Sequence, residues 1–210
     1  MTSEPNDRDV APTAGLAYAE RLAAMQNVWW KRLLHVQAPY QANIRHFRLG
    51  RAIDVGCGIG RNLKSLAPGS VGVDHNPYAI EVARRTGVAA YTDDEFFANP
   101  DLTKPASFDG MLVAHVIEHL TPADARTILG SYLDLVRPGG RVALITPQER
   151  GYHSDETHIT FTGFTELRSL ADDLGLTTLR TSSFPFPRFA GKAFVYNEFV
   201  LLAQRPLTTA

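Results

Sequence analysis

The sequence lacks three features that would place it in a specialised class of protein. Only one of its 210 residues is a cysteine, Cys57, which excludes an internal disulfide framework and predicts a reducing, cytoplasmic environment. It contains no apolar stretch long enough to span a bilayer, so we expect a soluble chain. Net charge is nearly absent, at -1. A chain without a strong positive field is a poor candidate for a dedicated DNA- or RNA-binding protein.

The N-terminal 49 residues differ in pattern from the remainder of the chain. Residues 1–14 are polar and contain no apolar core followed by a small-residue cleavage site, which predicts a short disordered leader rather than a secretory signal. Residues 15–49 have the periodicity of amphipathic helices, interrupted at Pro39. We therefore expect an N-terminal helical cap of two helices, followed by a single domain over residues 50–210.

Short apolar runs alternate with helical patterns from residue 50 onward. The pattern predicts strands at 52–55, 71–74, 88–91, 110–114, 141–146, 176–181 and 193–203. Helices are expected at 61–67, 76–86, 121–136 and 162–175, with a polar loop at 92–104 and a turn at 138–140. This alternation predicts an α/β fold, namely a doubly wound, Rossmann-like, mostly parallel seven-stranded sheet with helices on both faces. Because no helix separates the last two strands, we expect the last strand to be antiparallel.

A glycine-rich loop follows the first predicted strand, in the stretch Asp54-Val55-Gly56-Cys57-Gly58-Ile59-Gly60-Arg61. Such a loop lies at the edge of the sheet where open α/β proteins bind ligands, and glycine lets the backbone approach a nucleotide closely. In a dinucleotide-binding loop the third glycine would stand one position later, where Arg61 is found. Asp54 would also repel a pyrophosphate, whereas a cationic ligand would not be repelled. The loop therefore favours a cationic nucleoside ligand.

The order D-x-G-x-G-x-G resembles the first motif of class I S-adenosylmethionine-dependent methyltransferases, and the resemblance extends over about residues 51–146. It implies S-adenosylmethionine as methyl donor, with Gly56 and Gly58 beside its methionine and adenosyl parts and Asp54 supporting its ammonium group. Asp74, about twenty residues further on, is placed to accept the ribose hydroxyl groups. The resemblance also implies an acidic or amide residue that receives the adenine amino group, for which Asp93 is the first choice and Asp94 the second. The full set of donor contacts that we expect is Asp54, Gly56, Cys57, Gly58, Asp74, His75, Asp93 and His115.

The segment His115-Val116-Ile117-Glu118-His119 matches the H-x-x-E-H pattern of zinc proteases. That pattern binds zinc only on one face of a helix, whereas His115 is expected at the end of a strand. The segment is more similar to the fourth motif of small-molecule O-methyltransferases of the ubiquinone-biosynthesis type, and also of metal-dependent small-RNA 2′-O-methyltransferases. The resemblance implies that Glu118 and His119 orient or deprotonate an acceptor hydroxyl group.

Some of these relatives bind a divalent cation through E-x-x-E-H and a later histidine. Here His115 replaces the first glutamate, so we expect no metal. A site formed by Glu118, His119 and either His153 or His158 remains an alternative. His153 is also expected to act in catalysis, because it lies in a long polar loop after the fifth strand.

The sequence therefore predicts a methyltransferase that moves a methyl group from S-adenosylmethionine to a small-molecule acceptor, at a hydroxyl oxygen. Aromatic residues at 29, 30, 40, 184, 186 and 189 are candidates for the roof of an apolar acceptor site. Three alternatives remain, namely an RNA 2′-O-methyltransferase-like enzyme, a non-catalytic S-adenosylmethionine-binding module and a nicotinamide-dependent oxidoreductase. The glycine spacing and Asp54 count against the last.

Overall fold

A computed structural model describes residues 37–207. The predicted leader and the first of the two cap helices, including Trp29 and Trp30, lie outside the described residues. The second cap helix, α1 (Ala38–His46), begins with Pro39 in its first turn, where a missing N–H costs nothing. None of the helices within residues 37–207 has both the length and the apolar character that a bilayer-spanning segment requires.

A seven-stranded sheet forms the centre of the molecule. Its strands in chain order are β1 (Ala52–Val55), β2 (Val71–Val73), β3 (Ala90–Tyr91), β4 (Phe108–Ala114), β5 (Val136–Pro147), β6 (Thr177–Phe184) and β7 (Glu198–Gln204). Their order in space is β3-β2-β1-β4-β5-β7-β6. Strands β1 to β5 pair in parallel, whereas β7 runs antiparallel to both of its neighbours. This confirms the predicted doubly wound fold with an antiparallel last strand.

Helices cover both faces of the sheet. They are α2 (Pro77–Arg85), α3 (Asp93–Phe97), α4 (Pro122–Leu133), α5 (Glu149–Tyr152) and α6 (Phe164–Asp173), in addition to α1. Alternate strand residues point to opposite faces, so that Leu144 packs in one hydrophobic cluster and Ile145 in another. The first cluster includes residues of α4 and α6, and the second includes Ile44 of α1. The core therefore consists of two apolar layers, one on each side of the sheet.

Strands β1 and β4 are neighbours in the sheet although β2 and β3 separate them in sequence. After β1 the chain adds β2 and β3 on one side, and it then returns to add β4 on the other side of β1. Loops that leave the carboxyl ends of these two strands diverge and open a crevice there. The glycine loop follows β1, and the segment from His115 to His119 follows β4. The topology therefore brings the two main sequence motifs to the same edge.

The predicted helix at 61–67 is wrong, because the structure has only a short 3-10 helix there, Asn62–Ser65. Pro68 disfavours helical backbone at the residue before it, and Leu66 is already extended. The few residues between the glycine loop and Pro68 leave room for one turn.

The polar loop predicted at 92–104 contains the short helix α3 instead. Thr92 and Glu95 form a reciprocal capping box, in which each side chain accepts a hydrogen bond from the other residue's backbone N–H. The T-x-x-E spacing is visible in the sequence and is the signal that predicts this helix.

The cap predicted for the last helix is also wrong. Gly163, not Thr162, is the N-cap residue of α6, and its N–H donates to the Glu166 carboxylate at 2.9 Å. The Thr162 hydroxyl donates instead to the Thr160 carbonyl oxygen. A glutamate three residues into the helix thus takes over the capping function.

Three strand boundaries differ from the prediction by three residues or more. Strand β5 begins at Val136, and a register shift opposite β4 accommodates the expected turn at Pro138-Gly139-Gly140. Strand β7 begins only at Glu198, because residues Arg188–Lys192 form a 3-10 helix and the chain returns to the sheet after it. Strand β6 extends to Phe184, three residues beyond the predicted end.

Candidate active site

The glycine loop folds tightly over the end of β2. The backbone N–H groups of Gly56 and Cys57 both donate to the Val73 carbonyl oxygen, at 2.8 and 3.0 Å. Gly56 has φ +71°, and a β-carbon added to it would lie 2.2 Å from Cγ2 of Val116. Only glycine satisfies both the left-handed backbone and this close approach. Gly56 therefore allows the loops that follow β1 and β4 to meet.

Asp54, the third residue of β1, is a carboxylate buried behind the glycine loop. Its residue exposure is 1%, and neither side-chain oxygen has a hydrogen-bond partner within residues 37–207. Burial, and to a lesser extent the nearby Asp74 carboxylate, raise the pKa of Asp54 to about 8. An unpaired buried carboxylate is costly unless a cation or a proton compensates it. The arrangement fits a site for a positively charged ligand.

Asp74 follows β2 and turns back towards the same loop. Its Oδ2 accepts a hydrogen bond from the N–H of Gly58 at 2.8 Å, and its Oδ1 accepts one from the N–H of Asn76 at 2.9 Å. The His75 ring lies 3.6 Å from Oδ1. Burial raises the pKa of Asp74 despite these two backbone hydrogen bonds, which lower it. These contacts hold the carboxylate rigidly at the rim of the crevice.

Asp93 begins α3, at the end of β3. Its Oδ1 accepts a hydrogen bond from the Tyr132 hydroxyl group of α4 at 2.6 Å. The short helix and α4 thus fix the orientation of this carboxylate along the same rim.

A single cavity of about 1080 Å³ joins the glycine loop to the segment after β4. This volume is at the upper end of the range for small-molecule sites, roughly 300–1000 Å³. One end is formed by the glycine loop, Asp74, His75 and Asp93, and we call it the donor end. The other is formed by His115, His119, Thr157, Ile159, Phe194, Tyr196 and Glu198, and we call it the acceptor end. Gln37, Tyr40, Asn43 and Ile44, from α1 and its N-cap, contribute to the wall.

His115 connects two carboxylates at the acceptor end. Its Nδ1 lies 3.2 Å from Oε1 of Glu118, and its Nε2 lies 2.9 Å from Oε1 of Glu198. Burial lowers the pKa of His115, but the hydrogen bonds to the two glutamates outweigh that effect and raise it to about 10. The ring is 47% exposed, on the wall of the cavity. We therefore assign His115 as an imidazolium that donates to both carboxylates.

His119, His158 and Glu118 form a second cluster beside the first. Each histidine has its Nδ1 at a backbone carbonyl oxygen, that of Thr157 for His119 at 3.1 Å and that of Tyr152 for His158 at 2.7 Å. This leaves both Nε2 atoms as lone-pair donors. Burial lowers the pKa of His119. One ligand atom of each residue lies within 4.8 Å of the others, so the cluster could hold a divalent cation.

The structure brings most of the expected site residues to the cavity. Seven of the eight expected donor contacts line it, and the eighth, Asp54, lies directly behind the loop. His119 also lines the cavity, and the fully buried Glu118 supports its floor. His153 does not reach the cavity wall but is exposed and packs against Tyr152. Of the two later histidines, His158 is the one that approaches Glu118 and His119.

Sequence reasoning missed Glu198 and Tyr132. Glu198 is 83 residues from His115 in sequence and reaches it only because β7 inserts beside β5. Tyr132 looks like an ordinary core residue of an amphipathic helix. No local pattern marks either residue.

The model of the methyltransferase domain family matches residues 53–142, which extend from β1 into β5 and include the glycine loop and Glu118. A comparison with curated proteins finds no match. Among solved structures, the complex of the Haloferax volcanii Trm112 methyltransferase activator with a methyltransferase has a TM-score of 0.71 at 17% identity, covering 96% of this chain and 100% of that one.

Two further structures have the same fold. Magnesium protoporphyrin IX methyltransferase from Synechocystis PCC 6803, with bound S-adenosylhomocysteine, has a TM-score of 0.64 at 14% identity and covers 95% of this chain and 100% of that one. An S-adenosylmethionine-dependent methyltransferase from Archaeoglobus fulgidus has a TM-score of 0.62 at 16% identity, covering 83% and 99%. The chain thus contains a methyltransferase domain over residues 53–142, on the fold of S-adenosylmethionine-dependent methyltransferases. It is an enzyme that takes its methyl group from that donor.

Proposed function

We propose that this methyltransferase acts on a small molecule and transfers the methyl group to a hydroxyl oxygen. The observation that carries the proposal is one cavity whose donor end is anionic and glycine-lined and whose acceptor end combines apolar walls with a few polar groups. Such a combination is typical of sites for small organic molecules. When bound, S-adenosylmethionine supplies an electrophilic methyl group, so the protein's main task is to align the two reactants.

At the donor end we assign Asp54 to the ammonium group, Asp74 to the ribose hydroxyl groups and Asp93 to the adenine amino group. The unpaired Asp54 carboxylate supports the first assignment, since a cation would compensate its burial. The rigid backbone support of Asp74 supports the second. At the acceptor end, His119 is assigned to orient the acceptor hydroxyl group, with Glu118 beneath it. The exposed position of His153 does not support a catalytic role for this residue.

We assign residues 15–49 to an N-terminal helical cap, whose described part, α1 with its N-cap, lines the cavity. Within the described residues, Tyr40 of α1 donates its hydroxyl hydrogen to the Tyr196 carbonyl oxygen at 2.9 Å, and both side chains line the cavity. This contact ties the cap to the segment before β7. We also place the enzyme in the cytoplasm, on the basis of its single reduced cysteine.

The charges of the cavity favour a small molecule over RNA. Among its lining residues in the described part of the chain, Arg61 is the single lysine or arginine. Proteins that bind nucleic acids neutralise several phosphates with lysine and arginine. A non-catalytic module would not need His119 and the His115 cluster on the wall of the same cavity.

A metal-assisted version of the reaction is favoured by one observation, the cluster of Glu118, His119 and His158. Two imidazoles and one carboxylate suit a transition metal better than magnesium. Isothermal titration with Mn²⁺ and Zn²⁺, on the wild type and on His158→Ala, tests this version. His153→Ala is the matched control, because its histidine is exposed. Equal metal affinity in all three proteins would rule the site out.

The proposed function is tested in two steps. S-adenosylmethionine and S-adenosylhomocysteine at about 100 times their dissociation constants should stabilise the fold by about 2.7 kcal/mol, whereas NAD should have no effect. In the second step, extracts of the source organism are incubated with the enzyme and with S-adenosylmethionine that carries a deuterated methyl group. They should yield a labelled methyl ether, which is identified by mass spectrometry. Label found on nitrogen, carbon or RNA would contradict the proposed acceptor.

A further inference from the structure

Glu198 occupies an unusual position for a carboxylate. It is the first residue of β7, where it pairs with Pro147 at the end of β5, and it is only 9% exposed. Its backbone carbonyl oxygen accepts a hydrogen bond from the buried Gln148 side chain at 2.9 Å. The main chain at Glu198 is therefore fixed to the edge of the sheet beside the acceptor end.

The Glu198 side chain is fixed as well, but only at one of its two oxygens. Oε1 accepts a hydrogen bond from His115 at 2.9 Å, and the same ring contacts Glu118 on its other side. His115 has φ +60°, an uncommon backbone conformation for histidine. This conformation directs the ring between the carboxylates of Glu118 and Glu198, which belong to separate elements of the fold.

The second oxygen of Glu198 has no hydrogen-bond donor among residues 37–207. Within that part of the chain only Oε1 accepts a hydrogen bond, from His115. Glu198 also forms part of the cavity wall. Among the described residues, Oε2 is therefore an acceptor without a donor, on a side chain that lines the cavity.

The surroundings of Glu198 indicate what kind of group binds there. Ile145, Phe194 and Tyr196 also line the cavity, and the His115 ring stands between the Glu198 and Glu118 carboxylates. Among the described residues that line the acceptor end there is no lysine or arginine to offset these two carboxylates. An acceptor bearing a phosphate or carboxylate at this point would be repelled, whereas a neutral hydroxyl group would be bound.

We propose that Glu198, held by His115, accepts a hydrogen bond from the hydroxyl group of an uncharged, largely apolar acceptor, the same group that His119 helps to orient. This inference rests on the proposed function and extends it from the general acceptor end to one atom, Oε2 of Glu198. His115 acts here as a positioning residue, because it contacts the acceptor only through Glu198. Glu198 accounts for selectivity between a free hydroxyl group and its methylated product.

The probes are 4-fluorophenol and 4-fluoroanisole, which differ only in the hydroxyl hydrogen. Their affinities for the protein saturated with S-adenosylhomocysteine are measured by ¹⁹F NMR line broadening. Glu198→Gln is the central variant. Its amide oxygen can remain on His115, which turns the amide N–H₂ group towards the cavity, where it offers a donor instead of an acceptor.

Glu198→Gln is expected to weaken 4-fluorophenol binding at least about tenfold and to leave 4-fluoroanisole binding unchanged. Glu198→Asp, which keeps the charge but withdraws it, should also weaken 4-fluorophenol binding. Glu156→Gln is the matched control, since Glu156 is exposed and lies outside the cavity lining, and it should behave as the wild type. The affinity for S-adenosylhomocysteine, measured by calorimetry, should stay within about twofold in every variant.

Two failures are distinguishable. If S-adenosylhomocysteine does not bind the wild type, the proposed function fails and this inference fails with it. If it binds normally, but 4-fluorophenol does not bind or binds Glu198→Gln as tightly as the wild type, only the assignment of Glu198 is overturned.

Discussion

The two ends of the cavity are built in different ways. The donor end consists mainly of backbone and of carboxylates close in sequence, from Asp54 to Asp93, on consecutive parallel strands. The acceptor end consists of side chains from β4, the loop after β5 and β7, which are up to 83 residues apart. Backbone geometry admits little variation, whereas side chains on separate elements can be exchanged independently. Substitutions can therefore alter the acceptor end one side chain at a time, whereas the glycine loop tolerates few changes.

The largest effect is expected where the donor end depends on backbone alone. Gly56→Ala places a methyl group against Val116 in a left-handed conformation, at a cost of about 1–2 kcal/mol for the backbone and about 1–3 kcal/mol for the overlap. Binding of S-adenosylmethionine should be lost in calorimetry.

Gly87→Ala is the matched control for this variant. Gly87 has φ +84°, but a β-carbon there would meet nothing within 4 Å. Gly87→Ala should therefore lower the free energy of unfolding only by the backbone cost of about 1–2 kcal/mol, and its affinity for S-adenosylmethionine should equal that of the wild type. Equal damage from both substitutions would show that the contact with Val116 is unimportant.

The second-largest effect on donor binding is expected for Asp74, whose side chain accepts hydrogen bonds from two backbone N–H groups. Asp74→Asn replaces one carboxylate oxygen by an N–H₂ group, which cannot accept from either Gly58 or Asn76 and cannot accept from a ribose hydroxyl. We expect the dissociation constant of S-adenosylmethionine to rise about 100-fold, or about 2.8 kcal/mol. Asp94→Asn, an exposed neighbour of Asp93, is the control and should change it little. Wild-type affinity in Asp74→Asn would remove Asp74 from the donor site.

The third effect is the pH dependence of stability that Asp54 contributes at the donor end. The pKa of Asp54 is raised from its ordinary value of 3.8 to about 8, so the folded state holds this proton at pH values where the unfolded state has lost it. The stability from this group is therefore complete below about pH 4 and is lost as the pH rises to about 8.

Asp54→Asn should remove that loss. In urea unfolding without donor, its stability relative to the wild type should rise from about pH 4 to about pH 8 and then level off. Donor affinity of the wild type should increase over the same range, because a cation binds the ionised carboxylate. A difference in stability that does not change with pH would contradict the raised pKa.

The smallest effect is expected for a change at the opposite end. Glu118→Gln alters the acceptor end without touching the glycine loop, so the dissociation constant of S-adenosylmethionine should stay within about twofold. The same calorimetric titration checks this result. A loss comparable with that of Asp74→Asn would mean that the two ends are coupled, and the contrast between them would not hold.

Local sequence determined the doubly wound fold and the donor end, because both depend on short-range patterns. Strand and helix periodicities predict the order of elements, and the glycines after β1 mark the only residues that fit the tight loop. Asp54 is the residue before the last of β1, and Asp74 and Asp93 follow β2 and β3, so parallel pairing alone brings them to the same edge.

Only the tertiary structure decided the acceptor end. His115, Glu118 and His119 are marked in the sequence, but their partners are not. The structure selects His158 rather than His153, because the short helix α5 leaves His153 in solvent, and it adds Glu198 through the insertion of β7 beside β5. Contacts of this kind join residues that share no periodicity, spacing or capping pattern. They follow from how the whole sheet is ordered, which no single segment of the chain encodes.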